Sequence, residues 1–155
     1  MRHLPTILLL ISIVAASSAA ANTLPEKTKH MFAKASNEVA EVTGYEKKPL
    51  TGTKDGCRDD GFCEAYFGNL HLRVYGRGIA MLFSTSLETT ETYFAACVAV
   101  LEAISGASNA ASRQVMLRAA QAIGSGPVKF DALNVQVELR IDRSNHRPEC
   151  QFFAY

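Results

Sequence analysis

The chain has 155 residues, 48% of them hydrophobic and 20% charged, and its sixteen Lys and Arg residues nearly balance its fifteen Asp and Glu residues. This composition is too apolar for a disordered chain, and the length is typical of one domain. A net charge of +1 gives no electrostatic reason to expect a nucleic-acid binder or a polybasic protein of membrane surfaces. We therefore expect one globular domain that does not bind nucleic acid.

The first 21 residues have the pattern of a bacterial export signal. A short basic start, residues 1–3, precedes a mostly apolar run, residues 4–16, and small residues then continue to Ala21. Cleavage after Ala21 would leave residues 22–155 as the single mature domain. No later segment reaches the roughly twenty apolar residues that a spanning helix needs. We therefore expect a periplasmic or secreted protein that does not insert into the membrane after cleavage.

The mature chain opens with a predicted amphipathic helix. Thr23 and Glu26 have the spacing of a capping box, and Gly44 is a typical helix end. Between them, apolar residues recur at helical spacing. The following residues 46–56 show no periodicity and are expected to form a loop.

Three short apolar runs follow, and glycine-rich turns separate them. They predict antiparallel strands at residues 62–67, 70–75 and 79–83. In the second strand the apolar residues alternate with larger polar ones, which would point away from the core. Those polar residues are His71, Arg73 and Tyr75.

Two helices and further strands complete the chain. Thr85 with Glu88 predicts one helix start, and a further helix is expected at about residues 110–123. Residues 135–142 alternate strictly between apolar and polar, and residues 149–155 form a terminal strand. This order predicts an α+β fold, with an antiparallel sheet of about five strands and helices packed on one face.

Four cysteines in an exported chain indicate two disulfides. Three pairings are possible, and we favour Cys57 with Cys63 across a sharp turn, and Cys97 with Cys150 between a helix and the terminal strand. The spacing matches neither a zinc site nor a thioredoxin-like site. We therefore expect no metal and no cofactor.

No catalytic motif is present. The three histidines of the mature chain occur in no known nucleophile or metal pattern; they are His30, His71 and His146. A calcium loop beginning at Asp55 lacks the required ligands. Glu64 and Glu138 could face each other across the sheet, but both alternate with inward-facing residues and are expected to face solvent. The residues therefore favour binding over catalysis, without excluding an enzyme.

Two surfaces are candidates for binding. One is the turn that the first disulfide would close, which is ordered before a partner arrives; its candidate residues are Arg58, Asp59, Asp60 and Phe62. The other is the exposed sheet face of His71, Arg73 and Tyr75, which could contact a ligand or an acidic partner. The sequence thus indicates an exported binding or accessory protein of the bacterial envelope, of an inhibitor, immunity or partner-binding type, whose partner is another protein.

Two alternatives stay open. A small periplasmic hydrolase could assemble a dispersed active site from His71 with Glu64 or Asp60. A structural envelope component could self-associate through residues 151–155, if that terminal strand lies at an exposed edge of the sheet. The sequence does not set the oligomeric state.

Overall fold

The computed structural model describes residues 23–84, 88–142 and 147–155. The expected export signal, residues 1–21, lies outside the described residues. In chain order the elements are α1 (Leu24–Thr43), β1 (Lys47–Pro49), β2 (Cys63–Phe67), β3 (Leu70–Tyr75), β4 (Ile79–Ser84), α2 (Thr90–Ser105), α3 (Asn109–Ala122), a short 3-10 helix (Ile123–Ser125), β5 (Val128–Ala132), β6 (Val135–Asp142) and β7 (Arg147–Ala154).

The strands form one antiparallel sheet in the order β1-β2-β3-β4-β7-β6-β5. The α+β class and the antiparallel sheet confirm the sequence-based prediction. The expected number of about five strands is wrong, since the sheet has seven. The two strands that raise the count are β1 and β5, one at each edge.

The edge strands carry weak sequence signals. β1 is only three residues long, Lys47–Pro49, and falls in the segment expected to be a loop; two lysines and a proline are typical of a protected edge. β5 connects to β6 through Leu133 and Asn134, whose φ angles are 55° and 58°. Two positive φ angles are typical of a type I′ hairpin turn, which glycine normally marks in a sequence. Because leucine is not typical of such a turn, the sequence did not predict this hairpin.

The helices pack on one face of the sheet, as expected. α1 lies against β2 and β3, α2 against β4 and β7, and α3 against β5 and β6. The side chains that point from the strands into this layer are apolar and fully buried; they include Phe67, Leu70, Leu72, Val74, Leu82, Val137 and Phe152. We call this side of the sheet the covered face. α2 is buried on most sides because it packs between α1 and α3.

The helix ends lie near the predicted positions, except that α2 begins later than predicted. Gly44, in the left-handed conformation, ends α1 and donates its N–H to the carbonyl of Ala40. Thr23 precedes α1, but its side chain makes no capping hydrogen bond. α2 begins later than predicted from Thr85, which lies outside the described residues: Thr89 caps it by accepting the N–H of Thr92 at 3.2 Å.

Both expected disulfides are present. Cys57 and Cys63 close a six-residue separation, and Cys97 and Cys150 join residues 53 positions apart. The second bond fastens α2 to β7 across the covered face. Because it closes the longer loop, it restricts the unfolded chain more, by about 4 kcal/mol against about 2 kcal/mol on the loop-entropy account.

Among the described helices, none is long and apolar enough to cross a membrane.

Candidate binding surface

The side of the sheet opposite the described helices carries polar and aromatic side chains; we call it the open face. Antiparallel register aligns its residues in rows across five strands. One row reads Tyr66, His71, Phe83, Glu149 and Arg140, and the next reads Glu64, Arg73, Met81, Gln151 and Glu138. Met81 on the central strand β4 therefore lies at the middle of this face.

His71 is buried on the open face, only 3% exposed. Its ring lies between those of Tyr66 and Phe83, with centroid distances of 4.4 and 4.7 Å. The expectation that His71 lies on an exposed sheet face is therefore wrong, because aromatic side chains of the two neighbouring strands cover the imidazole. Its Nε2 atom is 3.2 Å from Oε2 of Glu64.

Burial lowers the pKa of His71, and the charge of Arg73 lowers it further, while the hydrogen bond to Glu64 acts in the opposite direction. The imidazole is therefore neutral at neutral pH. A neutral ring donates one proton, and the Nε2 tautomer places that proton towards the Glu64 carboxylate.

Two arginines on the open face have similar exposure but different surroundings. Arg73 is 37% exposed, and its Nε is 3.5 Å from Oε2 of Glu64; this Nε is buried and has no hydrogen-bond partner. Arg140 is 41% exposed, and its Nε donates to Oε2 of Glu149 at 2.8 Å. Glu149 also accepts from the side-chain amide of Gln151 at 2.6 Å. Arg140 therefore belongs to a hydrogen-bonded network, whereas the Nε of Arg73 does not.

The turn between Cys57 and Cys63, which we call the cysteine turn, is ordered by its own hydrogen bonds. Arg58 Nη2 lies 2.6 Å from Oδ2 of Asp60, and the other Asp60 oxygen accepts the N–H of Phe62 at 3.1 Å. The backbone N–H of Arg58 donates to the Phe62 carbonyl at 2.8 Å. A shallow hollow of about 410 Å³ lies beside the turn, lined by Thr53, Arg58, Asp59 and Asp60.

The segment leading into the cysteine turn is held against α1. Lys47 Nζ lies 4.4 Å from the centroid of the Phe32 ring and donates to the carbonyl of Asp55 at 2.9 Å. The Asp55 carboxylate accepts the N–H of Cys57 at 3.0 Å, and this bond lowers its pKa. Asp55, at which a calcium loop would begin, and Asp60 thus accept turn hydrogen bonds. Within the described ranges, no group of three His, Cys, Asp or Glu side chains could hold a metal ion.

The cysteine turn and the open face meet at one contact. Phe62 directly precedes β2, and its ring centroid is 5.1 Å from that of Tyr75 on β3. The Arg58 guanidinium lies 5.7 Å from the centroid of the same Phe62 ring. The structure therefore brings six of the seven predicted binding residues into one continuous surface, which we call the joined surface; the seventh, His71, is buried beneath it. Its members are Arg58, Asp59, Asp60 and Phe62 of the turn, and Arg73 and Tyr75 of the open face.

The groups considered for catalysis are only partly brought together. His71 meets Glu64, but Asp60 pairs with Arg58 instead. Glu64 and Glu138 lie in the same row, four strand spacings apart, which is about 19 Å. Paired catalytic carboxylates need about 5 to 9.5 Å, so these two do not form such a site.

The remaining sequence-based candidates have clear positions. His30 is exposed on α1, and His146 lies outside the described residues. β7 lies between β4 and β6 in the sheet, so the terminal strand is not an edge. The expectation that residues 151–155 could mediate self-association as an exposed edge is therefore wrong.

Sequence reasoning missed the residues that surround the predicted ones. Tyr66, Met81 and Phe83 are half-buried on the open face, beside His71 and Arg73. Their period-2 alternation within β2 and β4 could have placed them on this face. The contacts of Tyr66 and Phe83 with His71 could not be found this way, because they depend on the register between strands.

Comparisons of the chain with protein-family models, with curated proteins and with solved structures returned no match.

Proposed function

We propose that this is an exported binding or accessory protein of the bacterial envelope, periplasmic or secreted, that binds another protein through the joined surface. An inhibitor, an immunity protein and a partner-binding accessory protein all fit this description. The observation that carries the proposal is the contact between Phe62 and Tyr75, at 5.1 Å between ring centroids. It makes one surface out of a rigid turn and an open sheet face.

Order before binding supports this function. The disulfide and the ion pair between Arg58 and Asp60 hold the cysteine turn, and the strand ladders hold the open face. A surface that is already ordered loses little conformational entropy when a partner binds. The half-buried side chains around Arg73 are of the types enriched at protein interfaces; they are Tyr66, Tyr75, Met81 and Phe83.

A small periplasmic hydrolase is the second candidate, and the pair of His71 and Glu64 at 3.2 Å favours it. The burial of this pair argues against a hydrolase. The imidazole is 3% exposed and the Glu64 side chain 19%, so a substrate of ordinary size does not reach the pair without movement of Tyr66 or Phe83. A binding surface needs no such movement.

Site-specific photo-cross-linking in cells of the source organism tests the proposal. A photoreactive phenylalanine derivative is placed at the position of Asp59 in the turn, or of Tyr75 on the open face. Matched controls carry it at Lys34 on α1 and Gln114 on α3, which are exposed in the helix layer. We expect the same partner protein to be cross-linked from both positions on the joined surface and from neither control. Cross-links from the helix layer only, or from none of the four positions, would overturn the proposal.

A further inference from the structure

We infer that Arg73 is the charged anchor of the joined surface and that it binds a carboxylate, supplied by an aspartate or glutamate of the partner protein. This inference rests on the proposed function, and names the chemistry of the partner.

The Nε atom of Arg73 lacks a hydrogen-bond partner, although it lies within ion-pair distance of Glu64. This atom is buried. The nearest carboxylate oxygen, Oε2 of Glu64, is 3.5 Å away, whereas charge-assisted hydrogen bonds of arginine are typically about 2.7 to 2.9 Å long. The same oxygen lies closer to His71, at 3.2 Å. Glu64 is thus drawn towards His71 and does not hydrogen-bond the buried Nε of Arg73. A partner carboxylate approaches Arg73 through the rest of its side chain, which is 37% exposed as a whole.

The guanidinium group is also held in place before binding. It lies over the ring of Phe83, 5.0 Å from the centroid, and a cation–π contact of this kind restricts its movement. Arg73 belongs to β3, an interior strand of the sheet, so its backbone is fixed on both sides. A partner carboxylate therefore meets a preformed arrangement of donors.

The surroundings favour a carboxylate of a protein over other anions. A guanidinium matches a carboxylate in plane and spacing. Around Arg73, half-buried aromatic and methionine side chains can exclude water from a central ion pair, as at interface hot spots. Glu64 beside it, and Glu138 and Glu149 farther along the face, would repel a polyanion. A single acidic residue among apolar neighbours suits this surface best.

Arg140 is an internal control for this inference. It lies on the same face with nearly the same exposure, 41% against 37%. Glu149 holds it at 2.8 Å, and Glu138 lies 3.9 Å from it. It is three strands away from Arg73, or about 14 Å. Its Nε already donates a hydrogen bond to Glu149, whereas the Nε of Arg73 donates to no acceptor, so Arg140 does not need a carboxylate from outside.

The test compares one change at both positions. Arg73→Lys and Arg140→Lys each keep the positive charge and lose the planar pair of donors. Affinity is measured as Kd for the purified partner identified by cross-linking at Tyr75, with thermal unfolding of each variant as the check on folding. We expect Arg73→Lys and Arg73→Gln to weaken binding by about tenfold or more, and Arg140→Lys to stay within about threefold. Equal losses at both positions, or wild-type affinity of Arg73→Gln, would overturn the inference.

The partner's acid is then identified directly. The cross-linked peptide defines the partner segment, and each Asp or Glu in it is changed to Asn or Gln. We expect one of these changes to weaken binding as much as Arg73→Gln, with no further loss when the two are combined. Additive losses, or loss of binding on phosphatase treatment of the partner instead, would contradict a carboxylate at Arg73.

The two proposals fail in different ways. Cross-links from Asp59 and Tyr75 together with normal affinity of the Arg73 variants would remove the anchor and leave the binding function. Cross-links from the helix layer alone would remove both.

Discussion

The two faces of one sheet differ in what their residues do, although the same strands build both. On β3, Leu72 and Val74 point into the covered face and are fully buried among apolar side chains. The residues between and beside them, His71 and Arg73, point to the open face and contact charged and aromatic groups. One face forms the core of the fold, and the other presents the residues of the proposed binding surface. A strand of six residues thus serves both purposes through its period of two.

The open face is not simply a solvated surface. His71, Glu149 and Gln151 are buried there without any described helix above them. Their cover comes from long side chains of the neighbouring strands, such as Tyr66 and Phe83 around His71. Packing between side chains of neighbouring strands can therefore bury polar groups on a sheet face that no helix covers.

The largest loss of stability should come from removing the disulfide that joins the covered face of the sheet to α2. Replacing both Cys97 and Cys150 with alanine should lower the free energy of unfolding by about 4 kcal/mol, whereas the same change at Cys57 and Cys63 should cost about 2 kcal/mol. The second variant should nevertheless lose more partner binding, because it loosens the cysteine turn. Urea unfolding and partner Kd, measured on both variants, check this. A greater stability loss from the turn disulfide would contradict it.

Truncating one side chain on each face of the sheet should show how much each face contributes to stability. Leu72→Ala removes a fully buried side chain and should cost about 3 kcal/mol. Met81→Ala, on the strand paired with β3 but half-buried on the open face, should cost about 1 kcal/mol. Chemical denaturation gives both values. Equal losses would mean that another part of the chain covers the open face.

The pH dependence of stability should come in part from the open face. The pKa of His71 is lowered in the folded state, from an ordinary value of 6.5, so the unfolded chain takes up the proton first. Its contribution is present above pH 6.5 and is lost as the pH falls through the folded-state pKa. His71→Gln should flatten the unfolding free energy between pH 7 and 5 relative to wild type. An unchanged slope would show that His71 titrates normally.

The smallest effect on stability should come from the exposed ion pair of the cysteine turn. Arg58→Gln should change the free energy of unfolding by less than about 1 kcal/mol, because both side chains of the pair are more than half exposed. Asp60→Ala should cost somewhat more, because it also removes the acceptor of the Phe62 N–H. Thermal unfolding compares the two variants. A larger loss from Arg58→Gln would mean that the contact of Arg58 with the Phe62 ring carries more weight than the ion pair.

The sequence predicted the interior of the fold better than its edges. β2, β3, β4, β6 and β7 follow from alternation and glycine turns, and both disulfide pairings follow from the placement of the cysteines. β1 and β5 escaped prediction, because edge strands bury less and need no strong apolar pattern. The start of α2 was placed too early because Thr85 and Glu88 imitate a capping box, while Thr89 makes the actual cap.

The residues of the proposed binding surface were named from the sequence, but their arrangement was not. The sequence named Phe62 and Tyr75 in separate candidate surfaces, and only the pairing of Cys63 with Val74 sets those two rings beside each other. The sequence also predicted that His71 is solvated. Alternation along a strand predicts the face on which a side chain lies, but not how far the side chains of neighbouring strands cover it. Contacts between strands depend on register, which a single sequence does not specify here.

The central position of β7 has a consequence for how the molecule is made. β7 lies between β4 and β6, so the sheet cannot close while the ribosome still holds that segment. Until then, the hairpin of β5 and β6 has no edge of β4 to join, and Cys97 has no partner sulfur. Strand pairings this distant in sequence form slowly. The chain therefore stays incompletely folded until β7 has left the ribosome.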